Sequence, residues 1–228
     1  MNFTHFTGGC CGGGHHHHAG GHHVRIHPGV CHHHDGHHHV GFYPGMFRHS
    51  GSQHAISDFR FSSGHTPVVL TSLANGVVGA ASIIGCRTAV AGVIGADGNI
   101  ILPCSAKVAQ CVRKAGEITA ITAYFTVTTP LDVAGQDETV TATIYRAPAG
   151  SNVFSPTTAS VDLAPVLTSL LPAGTTLTGT KLIVPPVAVA AGDRLIMVYT
   201  MSGSAGDVAA MVTGAASASV TIVGGCGC

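Results

Sequence analysis

The clearest alternation of apolar and polar positions runs through residues 116–129, GEITAITAYFTVTT. Successive side chains of an extended chain point to opposite faces, so Ile121, Ala123, Phe125 and Val127 share one face while Thr122, Tyr124, Thr126 and Thr128 share the other. These residue types suit a pleated, half-buried surface, and the alternation contradicts an amphipathic helix, which needs apolar residues three and four apart. The stretch therefore predicts a β-strand with a core face and a wetter face. Residues 139–145 repeat the logic, with Val140, Ala142 and Ile144 opposite Thr139, Thr141, Thr143 and Tyr145.

Beyond Thr66 the whole chain reads as strand, turn, strand. Short apolar or alternating runs at 68–73, 77–84, 88–94 and 100–102 predict strands, with turns at Asn75-Gly76 and at Ala96-Asp97-Gly98-Asn99. Residues 107–113 lack a helix-length apolar stripe and are read as a strand. After a loop at 130–137, the Pro- and Gly-punctuated stretch 146–158 is read as a connection. Further strands are expected at 160–168, 181–189, 194–201, 208–213 and 216–223. Leu195-Ile196-Met197-Val198-Tyr199 is apolar on both faces, as a central strand should be, and Ala191-Gly192-Asp193 is the turn that feeds it. About ten short strands and no convincing helix indicate an all-β fold, an antiparallel β-sandwich of jelly-roll type.

Composition shifts sharply near residue 65. All 17 histidines lie between His5 and His65, and the segment 1–64 is dominated by Gly and His. With so little apolar surface it cannot offset the entropy of folding alone, so it is expected to be a flexible or assembly-ordered tail. Its larger apolar residues, Phe42, Tyr43, Met46, Phe47, Phe59 and Phe61, come late. The domain is then expected at 65–224, followed by a Cys-Gly-Cys segment at 225–228.

Charge narrows the function classes. Only 9% of residues are charged, against about 25% in ordinary soluble domains, and Lys+Arg and Asp+Glu both number 10. Such a chain has no basic field for nucleic acid. Residues 66–86 carry no charge over nearly the length of a membrane span, but Pro67, Asn75, Gly76, Gly79 and Gly85 interrupt them, and two strands with a turn explain them better. The opening MNFTHFTGGCCGGG has no basic start followed by an apolar run, so no secretory signal is expected.

Several strings taken in order carry a resemblance: TPVVLTSLANGVVGAASIIG, GEITAITAYFTVT, NVFSPTTASVDLAPVLT, AGDRLIMVY and ASASVTI. Together, over residues 66–223, they resemble the C-terminal domain of the BclB-type exosporium glycoproteins of spore-forming Firmicutes. The resemblance implies a tumour-necrosis-factor-like jelly roll, usually trimeric, displayed on the outside of a bacterial spore after synthesis in the mother cell. Relatives place a Gly-X-Y collagen-like stretch before this domain, whereas here the Gly/His segment stands in that position, so trimerisation cannot be credited to a triple helix. Nor is there the Pro-rich leader that anchors some relatives.

Candidate chemistry gathers at the ends. His15, His16, His17 and His18, then Cys31, His32, His33 and His34, then His37, His38 and His39 offer imidazole and thiolate ligands suited to Zn, Ni or Cu. CHHHDGHHH has no defined ligand spacing, so it is no zinc finger, and a solvated, pH-sensitive tail binding metal incidentally is the competing reading. No cofactor is required otherwise. Cys10, Cys11, Cys31, Cys226 and Cys228, most of them flanked by Gly, are candidates for disulfides between subunits. For Cys86, Cys104 and Cys111, pairing and simple burial are equally open.

Residues beyond His65 include no histidine, and the carboxylates fall mostly in turns, with Asp137-Glu138 read as a solvated hairpin end. No catalytic arrangement is indicated, and a non-enzyme is expected. The expected function is a self-assembling, disulfide cross-linked structural subunit of a spore surface layer, with other spore surface proteins as partners. The alternative is a spore-surface adhesin or ligand-binding module with a metal-binding tail.

Overall fold

The computed structural model describes residues 56–103, 106–130, 137–168, 171–203 and 209–224. Among them it forms β1 (Ile56–Ser62), β2 (Val68–Thr71), β3 (Ala81–Ile84), β4 (Ala89–Gly92), β5 (Ile100–Ile101), β6 (Gln110–Cys111), β7 (Gly116–Val127), β8 (Glu138–Ala147), β9 (Val153–Asp162), β10 (Thr176–Val189), β11 (Arg194–Gly203) and β12 (Met211–Gly224), and no helix. One sheet runs β1-β12-β7-β10, with β2 also on β12; the other runs β4-β3-β11-β8-β9-β5, with β6 also on β11. All of these strand pairs are antiparallel. From β9 to β12 the chain alternates between the sheets, and the distant β7 and β12 pair at the middle of the first. This winding makes an antiparallel β-sandwich of jelly-roll type.

β7 supplies the spine of the core. Ile121, Ala123, Phe125 and Val127 are buried and Tyr124 is half-exposed, as the alternation predicts. They meet Val140, Ala142 and Ile144 of β8 and Leu195, Met197, Tyr199 and Met201 of β11 between the sheets. The opposite face of β11 is covered as well: Ile196 and Val198 pack with Ile83, Ile100, Phe154 and Tyr145 in a second apolar cluster. A strand apolar on both faces is therefore a strand buried on both faces. The expected turn at Asn75-Gly76 forms too, both residues taking positive φ, 95° and 74°, with the Gly76 amide donating to the Leu73 carbonyl at 3.0 Å and the Leu73 amide to the Val77 carbonyl at 2.8 Å.

Four expectations are corrected. Part of the segment expected as tail is strand: β1 lies before residue 65, and Phe61, 1% exposed, and the partly buried Phe59 put it against the core while Asp58 and Arg60 face outward. Residues 153–162, read as a connection and the start of a later strand, are all β9. Pro156 hid this strand; the register with β8 shifts there, and the Thr157 hydroxyl donates to the Ile144 carbonyl at 2.8 Å where a regular ladder would use an N–H. Of residues 107–113 only Gln110–Cys111 is strand, anchored by buried Val108 and Val112 on either side. The two last strands are one continuous β12, with Val208 itself outside the described residues.

β10 is the free edge of the first sheet, and three features interrupt that edge. Thr178 exchanges backbone hydrogen bonds of 2.8 and 2.9 Å with Ala164, Arg146 Nη1 donates to the Ala188 carbonyl at 2.7 Å, and the pairing with β7 shifts register between Leu182 and Val187. Pro185 and Pro186 lie inside that shift.

Candidate functional site

The ligand and cross-linking candidates His15, His16, His17, His18, Cys31, His32, His33, His34, His37, His38, His39, Cys10, Cys11, Cys226 and Cys228 all lie outside the described residues, as does Cys104. What the structure does place is where the chain enters and leaves the domain. Ile56, the first described residue, pairs directly with Val223, the penultimate one, so both ends of the domain emerge from neighbouring strands at the same end of one sheet. Cys86 and Cys111 are both exposed, which overturns burial as the explanation for them.

Beside that exit lies a groove of about 590 Å³ in the seam between the sheets. Ser57, Asp58 and Phe59 of β1 form one wall, Gln110 and Cys111 of β6 with Arg113 and Lys114 form the other, and Ile222 and Gly224 form the floor. β1 is held from both sides, across the seam by Gln110 and Gly85 and within its own sheet by Thr221. The Gln110 amide donates to the Arg60 carbonyl at 2.7 Å, the Ser62 amide to the Gly85 carbonyl at 2.8 Å, and the Thr221 hydroxyl to Asp58 Oδ1 at 3.0 Å. The alternation of ISDFRFS was the signal available for this wall, obscured by the Gly/His composition just before it.

The outer face of the β1-β12-β7-β10 sheet is lined by hydroxyls in register. Thr122 lies between Ser219 and Thr180, and Tyr124 between Ser217 and Thr178. Thr180 donates to Thr122 at 3.1 Å, and Thr126 and Thr176 share a hydrogen bond of 3.1 Å. At the β10 border Leu182 and Val184 are 73% and 87% exposed.

Several polar groups are buried within the sandwich. Glu138 is 1% exposed, not a solvated hairpin end. Ser72 Oγ donates to its Oε1 at 2.6 Å and itself accepts from the Ala210 amide at 3.3 Å, while a side chain at Gly203 would overlap the carboxyl group. Glu138 Oε2 has no hydrogen-bond partner among the described residues. Ser72 therefore fixes the carboxylate at the end of the sandwich where β8 begins, which explains why neighbouring Asp137 is exposed and Glu138 is not.

Tyr199 crosses the core from β11 and donates its hydroxyl proton to the Ser217 carbonyl at 2.7 Å, with the Tyr124 carbonyl at 3.2 Å as the alternative acceptor. It ties one sheet to the backbone of the other. Burial pushes its phenol far above the ordinary tyrosine range, and burial raises Tyr145 in the same direction. A phenol kept neutral in the folded state but free to ionise at about pH 10 when unfolded contributes stability that is complete below pH ~10 and lost as pH rises. Urea titrations should therefore show stability falling above about pH 10, by up to ~1.4 kcal/mol per pH unit from Tyr199. Tyr199→Phe should start less stable at neutral pH and show a shallower alkaline decline. An unchanged slope would remove Tyr199 from that account.

Among the described residues no group of three His, Cys, Asp or Glu side chains is placed to hold a metal ion, and no helix is long and apolar enough to cross a membrane. No family model and no curated protein matches the chain. Among solved structures, Eiger TNF from S. frugiperda aligns with a TM-score of 0.35 and 10% identity, over 75% of this chain and 96% of that one. The infectious bursal disease virus Gx strain aligns with a TM-score of 0.35 and 15% identity, over 75% of this chain and 33% of that one. The jelly-roll assignment rests on the strand order and register described above.

Proposed function

We propose that the chain is a structural subunit of a bacterial spore surface layer or appendage, exosporium or outer coat. It is made in the mother cell, self-assembles as a homotrimer and is cross-linked by disulfides through its Cys-bearing ends. The observation that carries this reading is the pairing of Ile56 with Val223. It puts the first and the penultimate described residues on neighbouring strands, so the segments that carry the candidate thiols join the domain at the same end of one sheet. The resemblance of residues 66–223 to the exosporium glycoprotein domain supplies the setting.

The hydroxyl-lined sheet face supports self-association, since short Thr and Ser side chains form an even surface and Tyr124, Leu182 and Val184 give it apolar points of contact. Oxidised full-length protein should migrate as high-mass species on non-reducing electrophoresis and collapse to the single chain with reductant. Serine at Cys10, Cys11, Cys31, Cys226 and Cys228 together should abolish the ladder while leaving the native mass at three subunits. Monomers in both lanes would end the cross-linking claim, and a monomeric native mass would end the trimer.

The histidine tracts favour a second reading, an adhesin or ligand-binding module whose first segment holds Zn, Ni or Cu. Saturable uptake of one of these ions that disappears when residues 1–55 are removed would select it. Weak, unsaturating, pH-dependent uptake would return the tracts to a solvated tail.

A further inference from the structure

We infer that the seam groove beside β1 is a strand-addition site, in which an extended acidic segment of a partner protein lies along the open edge of β1 as one more strand. β1 ends the first sheet on the side opposite β10. In an antiparallel pair, residues alternate between turning both main-chain groups toward the partner strand and turning both away. The Ser62 amide reaches the Gly85 carbonyl and the Arg60 carbonyl accepts from Gln110, so the even-numbered residues of β1 turn away from β12. Asp58 belongs to that set. Its amide and carbonyl, with the Arg60 amide, face the groove and have no hydrogen-bond partner among the described residues.

The space suits one strand. Strands stand ~4.8 Å apart, so a strand seated between two others separates them by about 9.5 Å. The groove, 590 Å³ in volume and walled by β1 and β6, is on the order of 8 Å across if compact. The open edge runs only from Ile56 to Arg60, because Gln110 and Gly85 engage it beyond.

Charge names the occupant. Arg113 and Lys114 on the β6 wall are exposed and enter no ion pair among the described residues. The Asp58 carboxylate lies on the outer face of the sheet, held by the Thr221 hydroxyl. A residue added directly opposite Asp58 would share that outer face and be repelled if acidic. Residues opposite Ser57 and Phe59 would share the inner face and meet the Arg113 and Lys114 wall. The fitting segment is therefore acidic at every second position and uncharged between. A second copy of this domain does not supply it, since β10, β4 and β5, which end the sheets elsewhere, contain no acidic residue.

Such binding requires neither trimerisation nor disulfides, so it is tested on the reduced full-length chain with a fluorescent heptapeptide of alternating Thr and Glu. Saturable binding is expected, and the matching Thr-Lys peptide should bind about tenfold more weakly or worse. Methylating the threonine amides of the Thr-Glu peptide removes the donors aimed at β1 and should abolish binding. The Arg113→Glu, Lys114→Glu double variant should prefer the Thr-Lys peptide. In amide hydrogen exchange, the bound Thr-Glu peptide should slow Asp58 and Arg60. Absence of saturable binding, equal binding of the methylated peptide, or unchanged exchange at Asp58 and Arg60 would overturn the proposal. Both substituted side chains are exposed, and the methylated peptide tests the ladder on unaltered protein.

Discussion

Phe125→Ala should destabilise the domain by about 3–5 kcal/mol and lower its melting temperature by on the order of 10 °C. The ring is fully buried and lies at the crossing of every central element of the sandwich. Its own strand pairs it with Ala216 of β12 and Leu177 of β10, and the Tyr199 ring from the opposite sheet stands 6.4 Å away, centroid to centroid. Truncation removes apolar burial and leaves a cavity that strands anchored on both edges cannot collapse around. It also removes the support that keeps Tyr199 aimed at the Ser217 carbonyl, so the loss should exceed that of a peripheral phenylalanine. Tyr124→Ala, one residue away on the outer face, should cost far less, and similar losses for the two would show that this strand is not sided as described.

Gly214→Ala is the second large effect, about 3 kcal/mol, the upper range for overpacking. A methyl group at position 214 would stand 2.5 Å from both Phe125 Cζ and the Thr126 carbonyl oxygen. A ring locked in the core and a carbonyl in the ladder are both poor at yielding. Chemical denaturation of Gly214→Ala, Phe125→Leu and the double variant tests the cause. The double variant should be more stable than the sum of the singles by roughly 1 kcal/mol or more, because the smaller leucine vacates the ring position. Full additivity would mean that the Thr126 carbonyl alone sets the cost.

These two positions also show how far the sequence could be read. The inward face of β7 and the two-sided burial of β11 were legible because period-two alternation and continuous apolarity are direct images of one and two buried faces. Gly214 was not, since a glycine in a strand pattern looks like a break. Only the ring above it shows that its missing side chain lets β12 run uninterrupted. β9 was concealed by Pro156, and β1 by the composition of its neighbours, although ISDFRFS alternates as well as many accepted strands. Glu138 misled in the other direction, because an acidic pair beside a loop reads as solvated unless its distant partner is known, and Ser72 is 66 residues away. The groove follows the same rule. Its walls and floor come from β1, β6 and β12, and no local pattern records that three distant segments meet.

The interrupted edge of β10 sets a limit on how copies of this domain can join. A long open strand invites another chain to add in register and extend the sheet without end. Here Thr178 and Ala188 already have partners on that side, and Pro185 and Pro186 offer no amide between them. In the layer proposed above, subunits would be held by faces and by the proposed disulfides rather than by a continuous β-ladder. Reduction of such a layer should then release folded units instead of leaving an insoluble fibril.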